Sequence, residues 1–182
     1  MIPKQYLHID FTNIKTTIMN KTKLSFVLIV LIFAISSCQF SKGVKKDLKT
    51  GLSASYNGFA LDDIYLADET GKRLNNNEIK LGAKVLVVAS GVDYFSVKEG
   101  KVYPGCQIML TDKNKAEILN LPDAFASMTS GTTAAEAKTL QASLNTGQPM
   151  VSGETYHLLV RFYDKQDKEK EIVSNVDLKM QE

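Results

Sequence analysis

Three stretches of this chain alternate apolar and polar residues with a period of two, and that spacing leaves little choice of fold. Leu140, Ala142 and Leu144 alternate with Gln141, Ser143 and Asn145; Tyr156, Leu158, Val160 and Phe162 alternate with His157, Leu159, Arg161 and Tyr163. In Glu171–Met180, the residues Ile172, Ser174, Val176, Leu178 and Met180 share one parity. Side chains of a strand point to opposite faces in turn, so each stretch reads as a strand with one face in a core and the other in water. Lys84–Ser90 (KVLVVAS) is β-branched and too short for a helix, which makes it a core strand. Weaker strands are expected over Leu48–Tyr56, interrupted by Gly51, and over Phe59–Asp68. Cys106–Asp112 and Ala116–Leu119 predict a hairpin around Lys113-Asn114-Lys115.

Three apolar runs end alike, in YLADETGK (65–72), MLTDKNK (109–115) and FYDKQDK (162–168). Each closes on an aspartate followed by a lysine-bearing turn. A carboxylate at that position accepts hydrogen bonds from backbone amides two residues on, so these aspartates read as turn formers. Helical signal is confined to Thr133-Ala134-Ala135-Glu136, a capping box good for one or two turns. The expectation is an all-β fold over residues 48–182, a single antiparallel β-sandwich of about seven to nine strands with one short helical insertion. The closing run GETYHLLVRFYDKQDKEKEIVSNVDLKM is similar to the last hairpin of many immunoglobulin-like domains in secreted bacterial proteins, which implies an immunoglobulin-like sandwich and no catalytic residues.

The other strong signal is Lys21–Cys38, KTKLSFVLIVLIFAISSC. Its apolar core falls short of the roughly 20 residues that span a bilayer, and its basic flank fits a secretory signal. The end, Ile35-Ser36-Ser37-Cys38, resembles the lipobox of bacterial lipoproteins. The resemblance implies cleavage before Cys38 and lipidation of that cysteine. On this reading residues 1–18 come from a start codon placed too far upstream, 19–37 are the signal peptide, and 38–47 are a lipidated tether. Gln39 follows the cysteine where some enteric lipoproteins carry an inner-membrane aspartate, which implies the outer membrane. No acidic export cluster follows Cys38, which favours the periplasmic face over the cell surface. Lysine outnumbers arginine 20 to 2, similar to proteins from AT-rich Bacteroidota genomes.

The whole chain carries +2, but four of its 22 basic and one of its 20 acidic residues precede Cys38, leaving 18 against 19 and a net charge of −1. That balance gives no electrostatic reason for nucleic-acid binding. With Cys38 lipidated, Cys106 has no partner for a disulfide and reads as a small buried hydrophobe.

Candidate chemistry is sparse. Asp112 and Asn114 in one turn and Asp164 in another could supply oxygens to calcium, but lysines at 113, 115, 165 and 168 interleave the acids. No metal or cofactor is therefore expected. The loop Gly91–Gly105 carries Tyr94, Phe95 and Tyr103 among glycines. Such aromatics can grip a sugar, a peptide or a protein. The competing use, and the one expected, is that Phe95, Val97 and Val102 plug the end of the sandwich. Asp62 and Asp63 are strand neighbours on opposite faces and cannot form a dyad. His157 has no evident nucleophile, and no nucleophile elbow, zinc-protease helix or phosphate loop is present. The reading is a non-catalytic, lipid-anchored envelope binding or assembly module, not an enzyme, held to the membrane through its lipid. Its partner is an envelope protein or a glycan; the alternative is a carbohydrate or small-ligand binding lipoprotein using the 91–105 loop.

Overall fold

The structure, a computed structural model, describes residues 41–182. The segment expected to be signal peptide, Cys38 and the first residues of the expected tether lie outside the described residues. Ten strands follow in order: β1 (Lys42–Lys46), β2 (Ser53–Asn57), β3 (Asp63–Asp68), β4 (Glu78–Lys80), β5 (Lys84–Ser90), β6 (Pro104–Thr111), β7 (Glu117–Leu121), β8 (Thr139–Asn145), β9 (Thr155–Asp164) and β10 (Asp167–Gln181). They form an all-β sandwich of two sheets. The larger runs β1-β2-β10-β9-β6-β7, and the smaller runs β3-β5-β8. All pairings are antiparallel except one: β4 lies parallel to the end of β10, Lys179 opposite Glu78.

The core fills the space between the sheets, and the alternation dictates which residues enter it. Along β9 the buried set is Tyr156, Leu158, Val160, Phe162 and, at its end, Asp164, and along β10 it is Ile172, Ser174, Val176, Leu178 and Met180. Register aligns these into rows such as Cys106–Phe162–Ile172–Tyr56. Val85, Val87 and Ala89 of β5 face them from the smaller sheet with Leu140, Ala142 and Leu144 of β8. Each large side chain fully buried this way contributes about 1.5–3 kcal/mol. Ser174 and, at the end of β9, Asp164 are the polar exceptions; the Ser174 hydroxyl donates to the Val160 carbonyl at 3.0 Å across the sheet. Leu86 and Val88 of β5 are buried on the other face with Ala67, so this central strand is apolar on both sides.

Two strands, β1 and β4, carry no strand signal in the sequence. Lys42–Lys46 was expected to be tether; it is β1, paired with β2 from Lys42–Asn57 to Lys46–Ser53. An edge strand is held by its ladder, and here Tyr56 also lies over Gly43, where any side chain would collide with the ring. Neither force leaves an alternation to read. β4 has three residues and buries only Ile79 among them. Leu48–Leu52, expected to begin a strand, is a turn in which Gly51 takes φ 76° and Leu48 is 85% exposed. The capping box forms as expected: the Glu136 amide donates to Thr133 Oγ1 at 3.2 Å, and Glu136 Oε2 accepts from the Thr133 amide at 3.0 Å. It starts only a 3-10 turn, Glu136–Lys138, before β8 begins at once.

Candidate functional site

Asp164 organises one end of the sandwich. Its carboxylate, fully buried at the end of β9, accepts from the Ser96 amide at 2.7 Å and the Gln166 amide at 2.8 Å. The first bond draws in the 91–105 loop, so that Phe95 packs on Phe59 with ring centroids 4.6 Å apart. Val102 is buried and exchanges two backbone hydrogen bonds with Thr132, both 2.9 Å, which fixes the 121–133 loop across the same end. Tyr103 lies half-buried against Gly131. Tyr94 remains 48% exposed, held at φ 74° with its amide on Asp93 Oδ1 and its carbonyl on Lys170 Nζ at 2.7 Å. The three aromatics thus have three different surroundings and do not make one contact surface. Phe95 and Val102 close the end, while Val97, expected to join them, is 66% exposed.

A second anchor sits beside the first. Burial pushes the Asp123 carboxyl upward, but Lys165 Nζ at 2.7 Å and the amides of Cys106 and Phe125 outweigh it and hold the group below its ordinary range. Glu136 drops to about 2, chiefly through the Thr132 hydroxyl and then the Thr133 amide and hydroxyl. Cys106 is wholly buried, and desolvation, with Asp123 nearby, pushes its thiol up to about 12. It is a packed hydrophobe, as its sequence context suggests.

The calcium candidates do not converge. Asp164 pairs with Pro104 at the start of β6, whereas Asp112 follows the last residue of β6. Eight residues of extended strand separate them by roughly 26 Å. Asp112 Oδ1 accepts from the amides of Asn114 and Ala116, both at 2.8 Å, and the Asn114 side chain is exposed. Asp68 does the same with Thr70 and Lys72, at 2.9 and 3.1 Å. All three strand-closing aspartates are turn formers. No group of three or more His, Cys, Asp or Glu that could hold a metal occurs among the described residues.

The register assembles one further site that sequence reasoning missed, on the outer face of the larger sheet. Asp177, His157 and Thr111 form one row across β10, β9 and β6, and Asn175, Leu159 and Met109 form the next. Together with Lys115 and Glu117 they line an open hollow of about 530 Å³. His157 Nδ1 lies 2.5 Å from Asp177 Oδ1. The order acid, imidazole, hydroxyl resembles a nucleophilic relay, but Thr111 makes no side-chain hydrogen bond to the imidazole. The sheet ladder engages the surrounding backbone amides, so none of them is turned toward the hollow as an oxyanion-hole donor. What remains is a half-buried apolar floor, Met109 and Leu159, inside a rim of hydrogen-bonding groups. Parity places His157 and Leu159 on the wet face from sequence alone; that Thr111 and Asp177 join them depends on register, which no pattern in the chain states. No family model matches the chain, and no curated protein matches it at a significant level.

Proposed function

We propose that the chain is a lipid-anchored, non-catalytic binding or assembly module of a bacterial envelope, attached through Cys38 to the outer membrane on its periplasmic face. The observation that carries the binding role is the hollow over β6, β9 and β10. A rigid sheet holds Met109 and Leu159 as floor and Thr111, His157, Asn175 and Asp177 as rim. An apolar centre with a polar rim is the anatomy of a contact surface, and strands hold it more firmly than a loop would. Its openness suits a protein segment better than an enclosed small molecule. The test is the double variant Met109→Arg/Leu159→Arg in the full-length protein, expressed in its bacterium and crosslinked in intact envelopes. Loss of a crosslinked partner at unchanged melting temperature supports the hollow; the same partner at the same yield sinks it.

A second reading, glycan or small-ligand capture by the 91–105 loop, rests chiefly on Tyr94, since Phe95, packed on Phe59, and Tyr103 are both half-covered. Tyr94→Ala should abolish glycan retention on that reading and leave the envelope crosslink intact.

A further inference from the structure

We infer that the β1 edge of the larger sheet lies on an anionic phospholipid surface, a contact that rests on the proposed lipidation of Cys38. Three residues, Gln39 to Ser41, separate Cys38 from the first residue of β1. Four residue steps reach at most about 14 Å, so the strand begins close to the headgroups whatever path the connection takes. Within the next eight residues stand Lys42, Lys45, Lys46 and Lys49. The acid among them, Asp47, is largely buried and already bonded to Arg73 at 3.3 Å and to the Lys49 amide at 3.0 Å. Arg73 in turn bonds Asp63 at 2.7 Å, and Glu171, two strands inward, is taken by Arg161. Four lysines and Arg73 against Asp47 and Asp63 leave the edge net positive, within reach of a surface potential that fades over about 8 Å at physiological salt.

The apolar residues fit the same surface. Val44 is 74% exposed in the middle of β1, and Leu48 is 85% exposed at the turn that follows. Lysines on an edge strand also discourage pairing with another chain, but that purpose does not call for bare apolar side chains between them. Lysine stems and amines around exposed valine and leucine are what a headgroup boundary accepts. On its open side β1 pairs with no other strand among the described residues.

The experiment uses the full-length lipidated protein with one added cysteine, Leu48→Cys or, at the opposite edge of the sheet, Leu121→Cys. Each is labelled with an environment-sensitive fluorophore; Cys106 is buried and does not react. Vesicles of phosphatidylcholine alone and with phosphatidylglycerol receive the protein, and quenching by the uncharged quencher acrylamide reads exposure. The expected result is a several-fold loss of quenching at Leu48 in the anionic vesicles, less in the neutral ones, and none at Leu121. Lys42, Lys45, Lys46 and Lys49 changed together to Gln should restore most of the quenching while the protein stays bound through its lipid. Equal quenching at the two edges in anionic vesicles overturns the contact and leaves lipidation standing. Shielding of Leu48 that persists in detergent and rises with protein concentration assigns the edge to a second copy and overturns it too. Protein without acyl mass, which floats with neither vesicle, overturns the lipobox reading and this contact with it.

Discussion

The two ends of the β6–β9 pair use the same device in opposite settings. At one end Asp164 closes β9 and is fully buried, and both its oxygens are taken by amides, one of them from the distant 91–105 loop. At the other end Asp112 closes β6 half-buried and holds only its own turn. The Asp164 end is then sealed by Phe95 on Phe59, Val102 on Thr132, the Asp123–Lys165 pair and the capping box. The Asp112 end has an exposed Lys113–Glu154 pair at 3.0 Å and the Tyr156 hydroxyl accepting from Val151 at 2.9 Å. Identical local chemistry thus becomes a long-range clamp where the carboxylate is desolvated and a local turn where it is not.

The largest expected effect strikes the strand that both ends depend on. Val87 is 1% exposed at the centre of β5. Val87→Asp should prevent folding, because an unpaired buried charge costs several kcal/mol. Circular dichroism with a thermal melt checks it, and a cooperative transition in the variant would mean that β5 is not the centre of the core.

The comparison itself is tested next. Asp164→Ala strands two part-buried amides, one of them from the 91–105 loop, at about 1–3 kcal/mol for each donor left unpaired. Asp112→Ala strands amides that water can reach, and should cost less than about 1 kcal/mol. Denaturant melts of the two variants should differ clearly, and equal losses would erase the distinction drawn between the ends.

A smaller pair separates plug from contact within the closed end. Tyr103→Ala, half-buried against Gly131, should cost about 1–2 kcal/mol, whereas Tyr94→Ala should stay within about 0.5 kcal/mol. The reverse order would return Tyr94 to the seal and take Tyr103 out of it.

Much of this architecture was legible in the chain. β8, β9 and most of β10 fall where period two puts them, because a buried face selects apolar residues at alternate positions, and β5 falls where its short β-branched run puts it. The turn role of Asp68, Asp112 and Asp164 follows from spacing alone. β1 reads as tether in the sequence because its neighbours, not its own side chains, hold it: Tyr56 over Gly43 leaves no trace within KGVKK. The hollow around His157 was invisible for a different reason. Its members come from three strands whose relative register is set by bulges and turns, including the shift between Asp167 and Glu171.

Acid should loosen the closed end first, and this is the smallest effect. Glu136 has its folded pKa lowered from 4.5 to about 2, and Asp123 is lowered from 3.8. A depressed carboxylate stabilises the fold fully above its unfolded pKa, and that contribution is lost as pH falls through the folded value. Hydrogen-exchange protection over residues 121–138 should therefore decline between about pH 4.5 and 2, ahead of protection in β5. Glu136→Gln should flatten part of that decline. A uniform loss across the sandwich would show that the two ends are not independently sealed.

The reading as a whole turns on how the domain is held, and the intact mass of the mature protein purified from membranes measures that most directly. The account predicts a polypeptide of residues 38–182 with the added mass of acyl chains on its first residue, and no mature form when Cys38 is replaced by Ala. A chain beginning elsewhere without acyl mass, or a Cys38→Ala variant processed and membrane-bound as before, would contradict it.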